Sequence, residues 1–93
     1  MKAKIWNFNK WIKETDETAL CRIFDKMVID AGFNVLGVLS YRFQPQGFTK
    51  IYLLAESHFA IHTFPEEHKT YVELSSCNEA MQRRFVSMMD NIE

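Results

Sequence analysis

From Thr15 onward the chain repeats apolar side chains at three- and four-residue steps, and Leu20, Ile23, Phe24, Met27, Val28 and Ala31 fall on one face of a helix. Asp16 and Glu17 lie in its first turn, where the helix dipole favours carboxylates. Gly32 stands where a helix C-terminus takes a positive φ. Ahead of this helix, residues 3–8 alternate apolar and polar groups closely enough to predict a strand. Behind it, residues 35–43 and 49–55 are two apolar runs joined by the turn-forming Gln44-Pro45-Gln46-Gly47. A third such strand, 58–63, ends at Pro65, and a fourth, 70–75, follows a short charged loop. Met81, Phe85, Met88, Met89 and Ile92 then carry helical spacing, a stripe better suited to core packing than to a ligand groove. The order β-α-β-β-β-β-α predicts an α+β fold, a two-layer sandwich of an antiparallel β-sheet with two helices on one face.

Length narrows this further. Ninety-three residues enclose one core, so residues 1–93 form a single domain and part of its stability is expected from a partner subunit. Hydrophobic residues at 47% and only two prolines and three glycines describe a folded chain, not a disordered one. Eleven basic side chains against twelve acidic ones leave a net charge of -1, too little positive field to gather nucleic acid or an anionic membrane. No run approaches a transmembrane span, and Met1-Lys2-Ala3-Lys4 opens a segment too polar for a signal peptide, so a cytoplasmic location is expected. Cys21 and Cys77 have no Cys-x-x-Cys spacing, which suits a reducing compartment, and Cys21 within the helical pattern reads as a structural thiol.

The chemistry-bearing residues are concentrated. Leu54-Ala55-Glu56-Ser57-His58 runs into Ile61-His62-Thr63-Phe64-Pro65-Glu66, and Cys77 lies twenty residues beyond Ser57. By position alone Ser57 reads as a turn residue whose hydroxyl caps a backbone group. Strand parity places His58, His62 and Phe64 on one face and Ser57 on the other, so Ser57 and His62 meet only if the chain bends at Glu56-Ser57. Strain in the Glu56-Ser57 peptide at such a bend would bring the serine oxygen toward the Glu56 carbonyl. Two imidazoles on one apolar face are more often a satisfied core pair or a fragment of a metal site than a catalytic set. His58, His62, His68 and Cys77 follow no recognised zinc spacing, however, and no metal is expected. A hydrolase is possible in principle, but there is no Gly-x-Ser-x-Gly elbow.

Several spacings together resemble the prokaryotic S-adenosylmethionine decarboxylase proenzymes, which are pyruvoyl-dependent. The matching pieces are Arg42-Phe43-Gln44-Pro45-Gln46-Gly47, the block from Leu54 to His58, the block from Ile61 to Glu66, and Cys77 at its distance. The resemblance implies self-cleavage at Glu56-Ser57, giving a β chain of residues 1–56 and an α chain of residues 57–93. Ser57 attacks the Glu56 carbonyl to form an ester, Glu56 departs as a carboxylate, and residue 57 becomes a pyruvoyl group with loss of ammonia. His62 matches the family's base for the elimination, and Thr49 stands where relatives usually carry a serine that steadies the oxyanion. Cys77 matches the proton donor to the substrate carbon. Phe43 and Phe64 match the aromatic pair that stacks on adenine, and Glu66 matches the acceptor for ribose hydroxyls.

The implied activity is decarboxylation of S-adenosylmethionine for spermidine biosynthesis. The pyruvoyl ketone takes the substrate amine as a Schiff base and draws off the electrons that carbon dioxide leaves behind. The family builds its site between two protomers, so a homodimer is expected. Two alternatives stay open: a pyruvoyl-dependent ornithine or arginine decarboxylase, and a non-processing paralogue that regulates an active subunit. The chain departs from the family pattern at Asn78, where glycine is common, and at Phe64, where tryptophan or tyrosine is frequent.

Overall fold

Two amphipathic helices need one apolar surface to lie on, and five strands provide it. In the computed structural model, which describes residues 2–93, the elements are β1 (Trp6–Ile12), α1 (Glu17–Asp30), β2 (Val35–Arg42), β3 (Phe48–Leu54), β4 (Ser57–Phe64), β5 (Lys69–Ser76) and α2 (Glu79–Met89). A single turn of 3-10 helix, Pro65–Glu67, joins β4 to β5, and His68 closes it in the left-handed region at φ 55. The strands form one sheet in the order β1-β5-β4-β3-β2, with every neighbouring pair antiparallel. This is the α+β, two-layer arrangement expected from the pattern.

Alternation along the strands decides what each face does. Ser57, Phe59, Ile61 and Thr63 of β4, with Thr70, Val72, Leu74 and Ser76 of β5, are buried under the helices. Leu20, Phe24, Met27 and Val28 of α1 and Phe85 and Met89 of α2 come down on them, with the Phe24, Phe59 and Phe85 rings in mutual contact. Burying such side chains is worth about 1.5–3 kcal/mol each, which makes this layer the main source of stability. Asp16 caps α1 by accepting from the Ala19 amide, and Gly32 takes φ 102 just beyond its end.

The first strand starts later than the pattern over residues 3–8 suggests. It spans Trp6–Ile12 because it pairs with β5 throughout, from Trp6 opposite Ser76 to Ile12 opposite Thr70. Lys10 breaks the apolar alternation yet points toward the helices, where its ammonium donates to the carbonyls of Met89 and Ile92 at the end of α2. A cation there satisfies orphan carbonyls and opposes the negative end of the helix dipole.

Among the described residues the opposite face has no second layer. Cross-strand register arranges it in three rows: Tyr41, Thr49, His62, Tyr71 and Trp11; then Leu39, Ile51, Ala60, Glu73 and Asn9; then Leu53, His58, Ser75 and Asn7. Leu39 is 72% exposed and Leu53 57%, so the β2–β3 half of this face presents uncovered apolar side chains. No helix among the described residues is long and apolar enough to cross a membrane.

Candidate active site

At one end of the β3–β4 hairpin, two residues, Ala55 and Glu56, join Leu54 to its partner Ser57. Favoured two-residue hairpin loops place positive φ at the first loop position or at both. Here it falls on Glu56 (φ 61), while Ala55 is not among the positive-φ residues. A side chain other than glycine in that region stores roughly 1–3 kcal/mol of backbone strain, and Glu56 contributes the carbonyl of the peptide bond to Ser57. The carbonyl oxygen of Glu56 is held by Cys77, whose thiol donates to it at 3.1 Å and whose amide N–H donates at 3.5 Å. Two donors on one oxygen polarise the carbonyl and are placed to receive negative charge developing there. Cys77 gets there because β5 ends at Ser76, directly opposite Ser57 in register.

The side chain of Ser57 points the other way. It is buried under the helices, where its hydroxyl donates to the Ser76 hydroxyl at 2.8 Å. Ser76 Oγ also accepts from the Asn78 amide at 3.0 Å, and the Asn78 side chain in turn caps α2 by accepting from Met81.

The other end of the hairpin holds a cleft of about 350 Å³ lined by Phe43, Gln46, Gly47, Thr49, His62, Thr63, Phe64 and Glu66. Thr49 and His62 face each other across β3 and β4, and Thr49 Oγ1 shares a hydrogen bond of 2.9 Å with His62 Nδ1. Gly47 adopts φ 102, which returns the loop so that Phe43, whose amide donates to the Gly47 carbonyl, stands over the cleft. Pro65 stops β4 and starts the 3-10 turn that carries Glu66 to the rim.

The eight residues singled out in the sequence thus fall into two groups. Phe43, Thr49, His62, Phe64 and Glu66 meet in the cleft; Glu56, Ser57 and Cys77 meet at the turn. The chain does bend, at Ala55-Glu56, but β4 then runs straight from Ser57 to Phe64, so Ser57 and His62 remain on opposite faces. Five residue steps of extended chain separate them by about 16 Å. Within one chain they do not touch, and Thr49 lies at the His62 end, away from the Glu56 carbonyl. Among the described residues no three His, Cys, Asp or Glu side chains gather as a metal cluster.

A family model described as S-adenosylmethionine decarboxylase matches residues 5–91. The chain belongs to the S-adenosylmethionine decarboxylase family. It is 39% identical over 67 residues to an S-adenosylmethionine decarboxylase proenzyme of Prochlorococcus marinus (strain MIT 9313), covering 72% of this chain and 54% of that protein. A proenzyme of the same description from Moorella thermoacetica is 35% identical over 68 residues, covering 73% of this chain and 50% of the relative. The chain spans about half the length of these curated relatives. In fold it is similar to the crystal structure of the adenosylmethionine decarboxylase from Aquifex aeolicus, with a TM-score of 0.76 at 23% identity, over 94% of this chain and 78% of that one.

Two polar features of this S-adenosylmethionine decarboxylase family member escape motif reading. Asn78, which departs from the family's glycine, is the N-cap of α2. Inward from the hairpin, Lys50 is buried against α1, with its ammonium 2.8 Å from Asp25 and 3.5 Å from the Cys21 thiol, and Tyr52 donates its hydroxyl to the same Asp25. Burial alone pushes the Asp25 carboxyl up, but the hydrogen bonds from Lys50 and Tyr52 outweigh it and hold the carboxyl below its ordinary range. Burial likewise opposes charge on Lys50, and Asp25 overcomes it, leaving the amine above its ordinary value. Burial and the neighbouring carboxylate together push the Tyr52 phenol far up. Only the inward parity of Lys50 within an apolar strand signals this cluster, and parity could not be assigned from the run itself.

Proposed function

We propose that this chain is a self-processing, pyruvoyl-dependent S-adenosylmethionine decarboxylase that works as a homodimer, with each active site built from the turn of one copy and the cleft of the other. The observation that carries the reading is the grip of Cys77 on the strained Glu56 carbonyl immediately before Ser57. Family membership supports the activity, and the names of the Prochlorococcus and Moorella relatives agree with it.

Separation of the two groups supports the dimer. If the open faces of two copies pack together about a two-fold axis lying between the sheets and crossing the strands, strand direction reverses. His62 and Thr49 of one copy then approach Glu56, Ser57 and Cys77 of its partner. The same packing removes Leu39, Ile51 and Leu53 from water, and each such side chain fully buried contributes about 1.5–3 kcal/mol.

In the maturation step Ser57 Oγ forms a bond to the Glu56 carbonyl carbon, the electron pair moving onto the oxygen held by Cys77. The C–N bond then breaks, its pair going to the nitrogen of residue 57, which takes up a proton, and an ester remains. His62 of the partner copy removes the Cα hydrogen of residue 57. The Cβ–Oγ bond breaks, Glu56 leaves as a carboxylate, and hydrolysis of the dehydroalanine releases ammonia. In the tautomer whose Nδ1–H donates to Thr49, Nε2 carries the lone pair for this task.

Ser57 supplies the carbon skeleton for a pyruvoyl group, and the neighbouring thiol suits the chemistry that follows. When formed, that group supplies a ketone that takes the substrate amine and accepts the electrons released with carbon dioxide. Cys77 returns a proton to the substrate carbon, Phe43 and Phe64 hold the adenine and the sulfonium, and Glu66 accepts from the ribose hydroxyls. Intact mass of the purified protein tests the proposal. Fragments of residues 1–56 and 57–93 are expected, the second bearing a ketone that borohydride reduces, with carbon dioxide release from S-adenosylmethionine rather than ornithine or arginine. Material that stays whole and inactive overturns the reading.

A further inference from the structure

Ser76 is fully buried, lies opposite Ser57 in register, and contributes the hydroxyl that faces the nucleophile. Its oxygen has a complete set of partners: it accepts from Ser57 at 2.8 Å and from the Asn78 amide at 3.0 Å, and its own hydrogen points to the Asn78 carbonyl at 3.4 Å. A hydroxyl whose rotation is fixed from the α2 side can only accept from Ser57, so the Ser57 hydrogen is turned toward Ser76. That leaves the lone pairs of Ser57 Oγ free of hydrogen and increases their electron density, as donation along a chain of hydrogen bonds does.

We propose that Ser76 is a positioning residue for self-cleavage, fixing the Ser57 hydroxyl as a donor so that its lone pair is available to the Glu56 carbonyl. This rests on the self-processing reading above. In the step concerned, Ser57 Oγ bonds to the Glu56 carbonyl carbon as the C–N bond breaks. Net, one proton is lost from the Ser57 hydroxyl and one is gained by the nitrogen of residue 57, while Ser76 keeps its own. No other reactant is consumed. A serine at 76 that only filled space would be replaceable by any side chain of its size.

The test is the first-order rate at which freshly made proenzyme splits, read by intact mass, for wild type and for Ser76→Ala, Ser76→Cys and Ser76→Thr, with thermal unfolding measured alongside. Ser76→Ala is expected to split at least tenfold more slowly, and Ser76→Cys, which keeps the size but accepts hydrogen bonds weakly, to be slowed as well. Ser76→Thr restores the hydroxyl and is expected to split within threefold of wild type. If Ser76→Ala does not fold, the cysteine and threonine variants carry the comparison. Splitting of the cysteine variant at the wild-type rate, or slowing of all variants in step with their loss of thermal stability, overturns the role of Ser76 alone. A wild-type chain that never splits overturns the self-processing reading along with it.

Discussion

The two ends of the β3–β4 hairpin differ in kind. The Ala55–Glu56 end is tight and backbone-centred: a positive φ, a carbonyl between two donors, and a serine hydroxyl turned into the core. The Thr49–His62 end is a wide cleft walled by aromatic side chains, with an oriented imidazole on its floor. In the proposed reaction one end carries the bond to be cut and the other the base and the binding surface. About 16 Å of strand keeps them apart in a single chain. The lesson is that a single chain holds the two groups apart, and the proposed site is complete only if a second copy brings them together.

The strongest way to break that comparison is to destroy one end in each of two chains. Ser57→Ala is expected to abolish both splitting and carbon dioxide release, and His62→Ala to slow splitting by at least about 100-fold, as loss of a general base does. When the two are co-expressed with random pairing, about half of the His62→Ala chains acquire an intact His62 opposite their own Ser57 and split. Intact mass of the mixture that shows no fragments places both groups in one chain after all.

The next largest effect concerns the face proposed to join the ends. Ile51→Asp puts a charge in the middle row between Leu39 and Ala60, where burial in the proposed dimer without a partner costs several kcal/mol. Light scattering is expected to report a monomer with an unchanged circular dichroism spectrum and lost processing. A monomeric variant that still splits at the normal rate would show that the turn is self-sufficient.

A smaller change sharpens the role of the cleft. Phe43→Ala removes one aromatic wall, and loss of stacking predicts roughly a tenfold rise in KM for S-adenosylmethionine. The rate of splitting at the other end is expected to stay as it was. Steady-state kinetics on fully matured protein would separate the two effects, and an unchanged KM removes Phe43 from the binding surface.

The smallest effect comes from beneath the hairpin. Asp25 has its folded value lowered, so its contribution to stability is present above the ordinary aspartate value of 3.8 and is lost as pH falls through the lower folded value. The carboxylate is 54% exposed, and solvent screening limits the contribution to under about 1 kcal/mol. Lys50→Met removes the main partner. Urea unfolding between pH 5 and about pH 2 is expected to show a shallower acid dependence in the variant, with splitting unaffected. Identical acid slopes would mean that Lys50 does not hold the carboxylate down.

Much of this organisation is legible in the sequence because apolar periodicity and turn chemistry agree. Leu20 to Ala31 reads as a helix, Gly47 as a turn residue, and Pro65 as a strand end, and each holds in the fold. Parity within β4 correctly separates Ser57 from His58, His62 and Phe64, since a strand has only two faces. The apolar run from Ile51 to Leu54 gives no such answer. Ile51 and Leu53 face outward while Lys50 and Tyr52 face in, which is intelligible only once α1 supplies Asp25. Distance along β4 was likewise the reason a bend alone could not unite Ser57 with His62. A turn reverses the chain at residue 56, but every residue of β4 lies beyond it.

The strand order has a mechanical corollary should the chain be cut between Glu56 and Ser57 as proposed. Residues 57–93 contribute β4 and β5, and these are flanked by β3 on one side and β1 on the other, both from residues 1–56. The younger piece is therefore slotted into the older like a tongue into a groove, stitched along both margins by backbone ladders. Release would require unzipping two seams at once, so scission at the hairpin tip would free a chain end without letting the halves drift apart.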